Sequence, residues 1–363
     1  MTPMPSDLLF PTLVVGSLPR PQWVKELIEE RKSGKVSSAQ ADQLLNSVVP
    51  SALKMQERAG MDFISDGEWR RESYVKVFAE AVTGFQSDLV SAGNPEFPDL
   101  RYPAVVSELS PQRSIAASEV EFIRRHSDSR ILVALPSAYT IARRMWDPEH
   151  SSSAYPTREA FMDTCIPIIR TEIETLIGLG VEAIQLDDPW LALLVDPDYR
   201  RRENIDDVEA EIELSVRSVN QAVEGIEGAF LSVHLCHAHF NRSHSTKGSY
   251  ELIIEAFGRM QVDRFAIEFA TPDAGGLEVL RNFPKDKILG LGVIDHTDLK
   301  VETPELVVDR VERAMQYVPK ERISLNPDCG FSPSSINPMD LDEAYLKLKA
   351  MCDGASLLRN KYA

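Results

Sequence analysis

Eight short apolar, β-leaning runs begin near residues 12, 62, 131, 183, 231, 264, 288 and 323, and the seven stretches between them contain helical periodicity. Strands that alternate with helices cannot be joined as tight hairpins, so they pair in parallel. Eight such units predict an α/β protein built as a closed (β/α)8 barrel. An open doubly wound sheet is the competing arrangement, but it would not bring so many strand ends to one point. The expected organisation is a single domain over 1–363, interrupted by an irregular excursion around 74–110 that closes with an accessory strand at 104–107. Helices are expected over 158–178, interrupted by Pro167, and from Ser38 onward, kinked at Pro50; 143–157 reads as a loop over the active end.

Each run stops at residues that carry chemistry. Ser17, Glu68, Asp187, His234 with Cys236, Glu268, Asp295 with His296, and Cys329 all fall where a strand gives way to its loop. Residues two apart on a strand share a face, so His234 and Cys236 present an imidazole and a thiol side by side. Glu268 and Cys329 end two later strands, which makes His234, Cys236, Glu268 and Cys329 a four-donor set for Zn2+. His237 and His239 have the wrong parity to join it. The set could close a structural site. Around a divalent ion, however, two thiolates and a carboxylate leave an electron-rich centre that polarises carbonyls poorly and holds an incoming thiol as thiolate. Thiol alkylation is therefore favoured over hydrolysis.

The remaining rim residues suit an amino-acid thiol. Glu68 and Asp187 can hold an ammonium group, though each of these acids could instead be a helix-terminal cap, and Ser17 with nearby amides can take a carboxylate. Asp66 is expected to support the site, and Asp188 stays ambiguous. His296 either donates a proton to a leaving nitrogen or is a loop histidine without a role. Trp146 and Trp190 could stack on a flat donor or simply pack, and Cys165 and Cys352 read as buried structural thiols.

Composition removes other classes. A net charge of −17 would repel nucleic acid, and no apolar run approaches the roughly 20 residues that span a bilayer. The stretch 1–10 has no basic segment followed by an apolar one, so no secretory signal is expected. Four cysteines in 363 residues are not a disulfide framework, and thiol ligands fit a reducing cytoplasm.

Six stretches together resemble the catalytic barrel of the cobalamin-independent methionine synthase family: Val15-Gly16-Ser17-Leu18-Pro19, Asp66-Gly67-Glu68-Trp69, Ile184-Gln185-Leu186-Asp187-Asp188-Pro189, His234-Leu235-Cys236, Ile267-Glu268 and Asn326-Pro327-Asp328-Cys329-Gly330. The resemblance implies zinc on His234, Cys236, Glu268 and Cys329, and homocysteine on Ser17, Glu68 and Asp187, with methionine as product. Non-catalytic thiol binding by a zinc-stabilised barrel and alkylation of another thiol such as coenzyme M are the alternatives.

The family's full-length enzyme resembles two fused barrels, whereas this chain has length for one. The family's proton-donating histidine falls one place beyond His296, and its pterin-stacking tryptophan about two residues from Trp146. A methyl-corrinoid, free or on a corrinoid protein, needs no proton on its leaving group. It is accordingly the expected donor, ahead of methyltetrahydrofolate.

Overall fold

A computed structural model of the chain describes residues 8–91, 100–332 and 338–362, so most of the stretch 1–10 lies outside the described residues. Seven strands pair in parallel, in the order Phe63–Ile64, Arg130–Pro136, Ala183–Asp187, Phe230–Leu235, Arg264–Ile267, Ile288–Ile294 and Ile323–Pro327. The ring is closed by two residues of the first run. Thr12 pairs with Leu325 and Leu13 with Phe63, both parallel, through Leu13 N–H to Leu325 O at 2.9 Å and Phe63 N–H to Thr12 O at 3.2 Å. The result is the eight-stranded barrel expected. Its strands are buried on both faces, as parallel strands under a coat of helices must be.

Two glycines in one strand show how the lumen is filled. A Cβ at Gly290 would lie 2.7 Å from the Arg264 guanidinium carbon, and one at Gly292 would lie 2.0 Å from Asp328 Oδ1. The lumen below the site is thus plugged by Arg264, which also donates to Ser324 Oγ at 2.8 Å. Outside the barrel, Leu341–Tyr362 packs on Pro304–Ala314 and on Ser38–Ala59. Ser37 caps the last of these in a reciprocal box with Gln40.

Some elements differ from expectation. Pro167 does not interrupt its helix, which runs unbroken over Arg158–Gly178, whereas Pro50 lies inside Ser38–Ala59 as expected. A proline removes one hydrogen bond, and in a long helix packed on the barrel the burial of its apolar face outweighs that loss. The excursion holds two strands rather than one: Val82–Ser91 and Arg101–Pro111 form an antiparallel ribbon, with 92–99 outside the described residues. The stretch 143–157 is not all loop, because Ala138–Met145 is a helix capped by Ser137. A second ribbon, His239–Phe240 with Ser243–His244, rises from the Phe230–Leu235 strand. Among the described residues no helix is long and apolar enough to cross a membrane.

Candidate metal and substrate site

The carboxyl ends of the strands open on one cavity that, with its open mouth, encloses about 660 Å³ of space free of atoms. Ser17, Glu68, Asp187, His234, Cys236 and Cys329 all line it. The imidazole of His234 and the sulfurs of Cys236 and Cys329 supply three donor atoms within 4.8 Å of one another, close enough to share an ion. Register explains part of this: Asp187 pairs with His234 across neighbouring strands, and His234 with Ala266. His234 Nδ1 sits 3.2 Å from Ala266 O, which fixes that nitrogen as the donor and leaves the buried Nε2 without a hydrogen-bond partner. An imidazole oriented by a backbone carbonyl, with its second nitrogen open beside two thiols, fits a bound metal.

The electrostatics run the same way. The hydrogen bond from the Cys329 thiol holds Cys236 down at about 5 despite burial, and His234 adds to the effect. Burial pushes Cys329 well up, as does the neighbouring Cys236. Burial would lower His234, but Cys236, Asp187 and Glu268 outweigh it and leave the ring at about 9. Without an ion the group therefore shares protons, and a divalent cation would take their place.

The carboxylates line the same cavity, with Asp187 beside His234 across the strand pair. Glu68 has a positive φ of 56°, held by Arg20 Nη2 donating to its carbonyl at 2.8 Å and by its own N–H donating to Asp66 Oδ1 at 2.8 Å. Its Oε2 is buried without a partner, and its Oε1 lies 3.5 Å from Arg71 Nη1. Burial raises Glu68 and brings Asp187 up to about 7. Gln185 holds Asp187 Oδ1 at 2.9 Å. Ser17 Oγ accepts the Ser332 amide at 3.2 Å, which leaves its own proton to donate into the cavity. Asp188 turns away: it is buried and accepts from Thr140 Oγ1 at 2.9 Å and Ser215 Oγ at 2.6 Å. Asp66 does not line the cavity; it supports Glu68 from behind.

Two expected site residues are not among the residues that line the cavity. Glu268 accepts from the backbone of His237 at 3.0 Å and from its ring Nδ1 at 2.5 Å, and its carboxylate groups with His244 and His296. His296 is fully buried, packs against His239 with ring centroids 3.6 Å apart and planes tilted by 38°, and is pushed well below the usual histidine range by that burial. It is not among the described cavity residues. Trp146 is also off the cavity, donating to Tyr155 O at 3.0 Å, whereas Trp190 lines it. Cys165 and Cys352 are buried and free.

Sequence reasoning missed several participants. Arg20 donates to the carbonyls of Glu68, Arg71 and Ser332, tying three rim loops together, and only its position just past the first strand end hinted at this. Arg144 lies 4.1 Å over the Trp190 ring and 4.4 Å over Tyr102 at the cavity wall. His244 is brought in by the short ribbon.

Comparison with known proteins agrees with this architecture. Residues 10–356 match the family model described as "Cobalamin-independent synthase, Catalytic domain". A methionine synthase from Saccharolobus solfataricus is 29% identical over 97% of this chain and 96% of its own length, and one from Saccharolobus islandicus is 30% identical over the same shares. A methionine synthase from Pyrococcus abyssi is 29% identical, over 97% of this chain and 94% of its own. Among solved structures, a B12-independent methionine synthase from Shewanella superposes with a TM-score of 0.78 at 24% identity, covering 97% of this chain and 98% of that one.

Proposed function

The chain belongs to the family of cobalamin-independent synthase catalytic domains, and on that premise we propose that it is a zinc-dependent methyltransferase that methylates homocysteine to methionine. The observation that carries this reading is one cavity lined together by the His234, Cys236 and Cys329 donors and by the buried carboxylates Glu68 and Asp187. A cationic amino group on a thiol-bearing amino acid supplies what each set lacks. The whole chain, 1–363, would work as this one barrel, and its free thiols suit a reducing cytoplasm.

Zinc held by His234, Cys236 and Cys329, with Glu268 as fourth ligand, would keep the homocysteine sulfur as a thiolate. The chain's own groups do the rest. Glu68 and Asp187 take the ammonium, and Ser17 donates to the carboxylate. Arg20 holds the loops that carry Glu68 and Ser332 at a fixed spacing, so the sulfur is aimed rather than merely bound. The methyl group then passes from the donor to sulfur, and the bond to the donor's leaving atom breaks with its electron pair.

The family's description as cobalamin-independent supports methyltetrahydrofolate as donor, against the expectation of a corrinoid. Trp190, Tyr102 and Arg144 give the cavity a flat, cation-bearing wall suited to a pterin ring. The corrinoid remains the second reading because Trp146 and His296, the residues expected to serve a pterin, lie off the cavity.

The test is methionine formation by purified protein from homocysteine and each donor, with zinc measured in parallel. Stoichiometric zinc is expected, reduced strongly in Cys236→Ser and Cys329→Ser together with activity. Full zinc retention in both variants would sink the metal assignment. Preference for coenzyme M would replace the acceptor, and an inactive protein that unfolds without metal would mark a non-catalytic zinc-stabilised barrel.

A further inference from the structure

Beside the thiol centre the chain buries a second group of ligand-type side chains, of which the proposed reaction uses only Glu268. His244, Glu268 and His296 offer ligand atoms that all lie within 4.8 Å of one another. Each comes from a different segment: the short ribbon, the end of the Arg264–Ile267 strand, and the loop after Ile288–Ile294.

The hydrogen bonding around the group leaves the right atoms open. His244 Nδ1 is engaged by Asp273 Oδ2 at 3.2 Å, which orients the ring and leaves Nε2 as its inward nitrogen. That Nε2 lies 3.6 Å from Glu268 Oε1, beyond hydrogen-bond reach, and both atoms are buried without partners. His237 occupies the other Glu268 oxygen through its ring and its backbone N–H, and its own Nε2 faces Gly248 O at 2.9 Å, so it steers Glu268 and has no nitrogen to spare. His296 is fully buried, and neither of its ring nitrogens has a hydrogen-bond partner. Buried imidazoles with both nitrogens idle are unusual, because desolvated polar atoms nearly always find a partner. Here three unpartnered atoms from three segments converge on one point, with a carboxylate–histidine pair, Asp273 and His244, behind them. This is the outer-shell pattern that accompanies metal ligation.

We propose that His244, Glu268 and His296 form a second divalent-cation site, adjoining the thiol centre and sharing Glu268 with it. Two imidazoles and one carboxylate, without sulfur, select a borderline ion such as Zn2+, Co2+ or Fe2+. The thiol centre, richer in soft donors, fills first. The shared carboxylate gives the second ion a route to influence the first, since any pull on Glu268 changes how strongly it can serve the sulfur-rich side. The site stands on its own ligands and does not require the methyl-transfer reading to hold.

Cobalt separates the two sites by spectrum. Full-length protein stripped with a chelator and titrated with Co2+ should take up two equivalents per chain. The first should bring a thiolate-to-metal charge-transfer band, and the second, weaker, only ligand-field bands. His244→Gln and His296→Gln, on separate segments, should each lose the second equivalent and keep the thiolate band, which also certifies an intact barrel mouth. Cys236→Ser should do the reverse. Uptake of a single equivalent by the unaltered protein overturns the second site, as does a second equivalent that survives in both histidine variants. If the thiolate band is missing from the unaltered protein, the thiol centre of the preceding section fails, and the histidine site is judged separately by whether His244→Gln removes sulfur-free binding.

Discussion

A glutamate at positive φ with one carboxylate oxygen buried and unpartnered is held against its own preferences, and Glu68 is kept there by Arg20 and Asp66. Such a group waits for a cation. Glu68→Gln or Asp187→Asn should weaken homocysteine binding roughly tenfold or more, the worth of one charge-assisted bond at a desolvated site, while metal content stays unchanged. Calorimetric titration checks both numbers on the same sample, and undiminished affinity would remove the ammonium role. Gly16 is part of the same device: a Cβ there would lie 2.6 Å from Glu68 Oε1. Gly16→Ala should therefore mimic the loss of Glu68 in binding while leaving the far-ultraviolet circular dichroism unaltered. Asp66 sets a pH dependence. Burial raises it to about 7, against about 3.9 in an unfolded chain. Between those values the native state holds a proton that the unfolded state has lost, so this group's stabilising share is complete below pH ~4 and disappears as pH rises through about 7, by at most about 4 kcal/mol. Asp66→Asn keeps an oxygen for the Glu68 N–H and removes the titration. Its melting temperature should then differ less between pH 5 and pH 8 than that of the parent, and an unchanged difference would show that Asp66 does not titrate there.

At the scale of elements, the C-terminal helix does more than cover the barrel. From Leu341–Tyr362, Lys347 reaches the carbonyls of Asp295 and Lys300, each at 2.8 Å, and Glu302 at 3.3 Å, pinning the loop that carries His296. Lys347→Met should destabilise the protein by roughly 2–4 kcal/mol, somewhat below a typical broken buried pair because Glu302 keeps Arg310. The urea midpoint should fall while homocysteine affinity holds; a fall in affinity instead would place the 295–302 loop in the acceptor site. Elements also decide what could be read from the sequence. Eight apolar runs with helices between them leave few closed arrangements, and strand parity fixes which face each terminal residue takes. That is why Ser17, Glu68, Asp187, His234, Cys236 and Cys329 could be assembled on paper before the fold was known. Parity fails once a strand has ended. The chain turns through positive φ at Ala238, Asn241 and Arg242, and this turn sets His239 on the cavity and His244 against Glu268, neither of which periodicity describes. Glu268 was legible as a strand-end carboxylate, but its engagement by His237 and His244 was not, because both partners come from that turn. The ribbon that brings Tyr102 to the cavity wall was legible only in part, as an accessory strand at 104–107, because the glycines and prolines around it masked its partner Val82–Ser91.

For the whole molecule the open question is which donor the single barrel accommodates, and the answer turns on how the leaving group departs. The nitrogen of methyltetrahydrofolate must gain a proton as the methyl leaves, whereas cobalt departs from a methyl-corrinoid as a stable reduced species without one. The sequence placed its candidate acid at His296 and its candidate platform at Trp146, and neither lines the cavity. The cavity instead offers Trp190 beneath the Arg144 guanidinium, with Tyr102 on the same cation's other contact, and His239 as the imidazole nearest the open space besides His234. A planar pterin stacks on such a wall at low entropic cost, and a cation in the wall offsets part of the −17 net charge that would otherwise repel an anionic tail. A corrinoid is far wider than a cavity of about 660 Å³ and could present only its upper face at the mouth. Methyltetrahydrofolate should therefore turn over faster than methylcobalamin at matched homocysteine and zinc. Trp190→Ala should raise KM for the folate about tenfold, the worth of one lost aromatic stack, and leave turnover with methylcobalamin nearly unchanged. Faster transfer from the corrinoid, indifferent to Trp190, would reverse the assignment and return the donor to the class that the displaced Trp146 and His296 suggest.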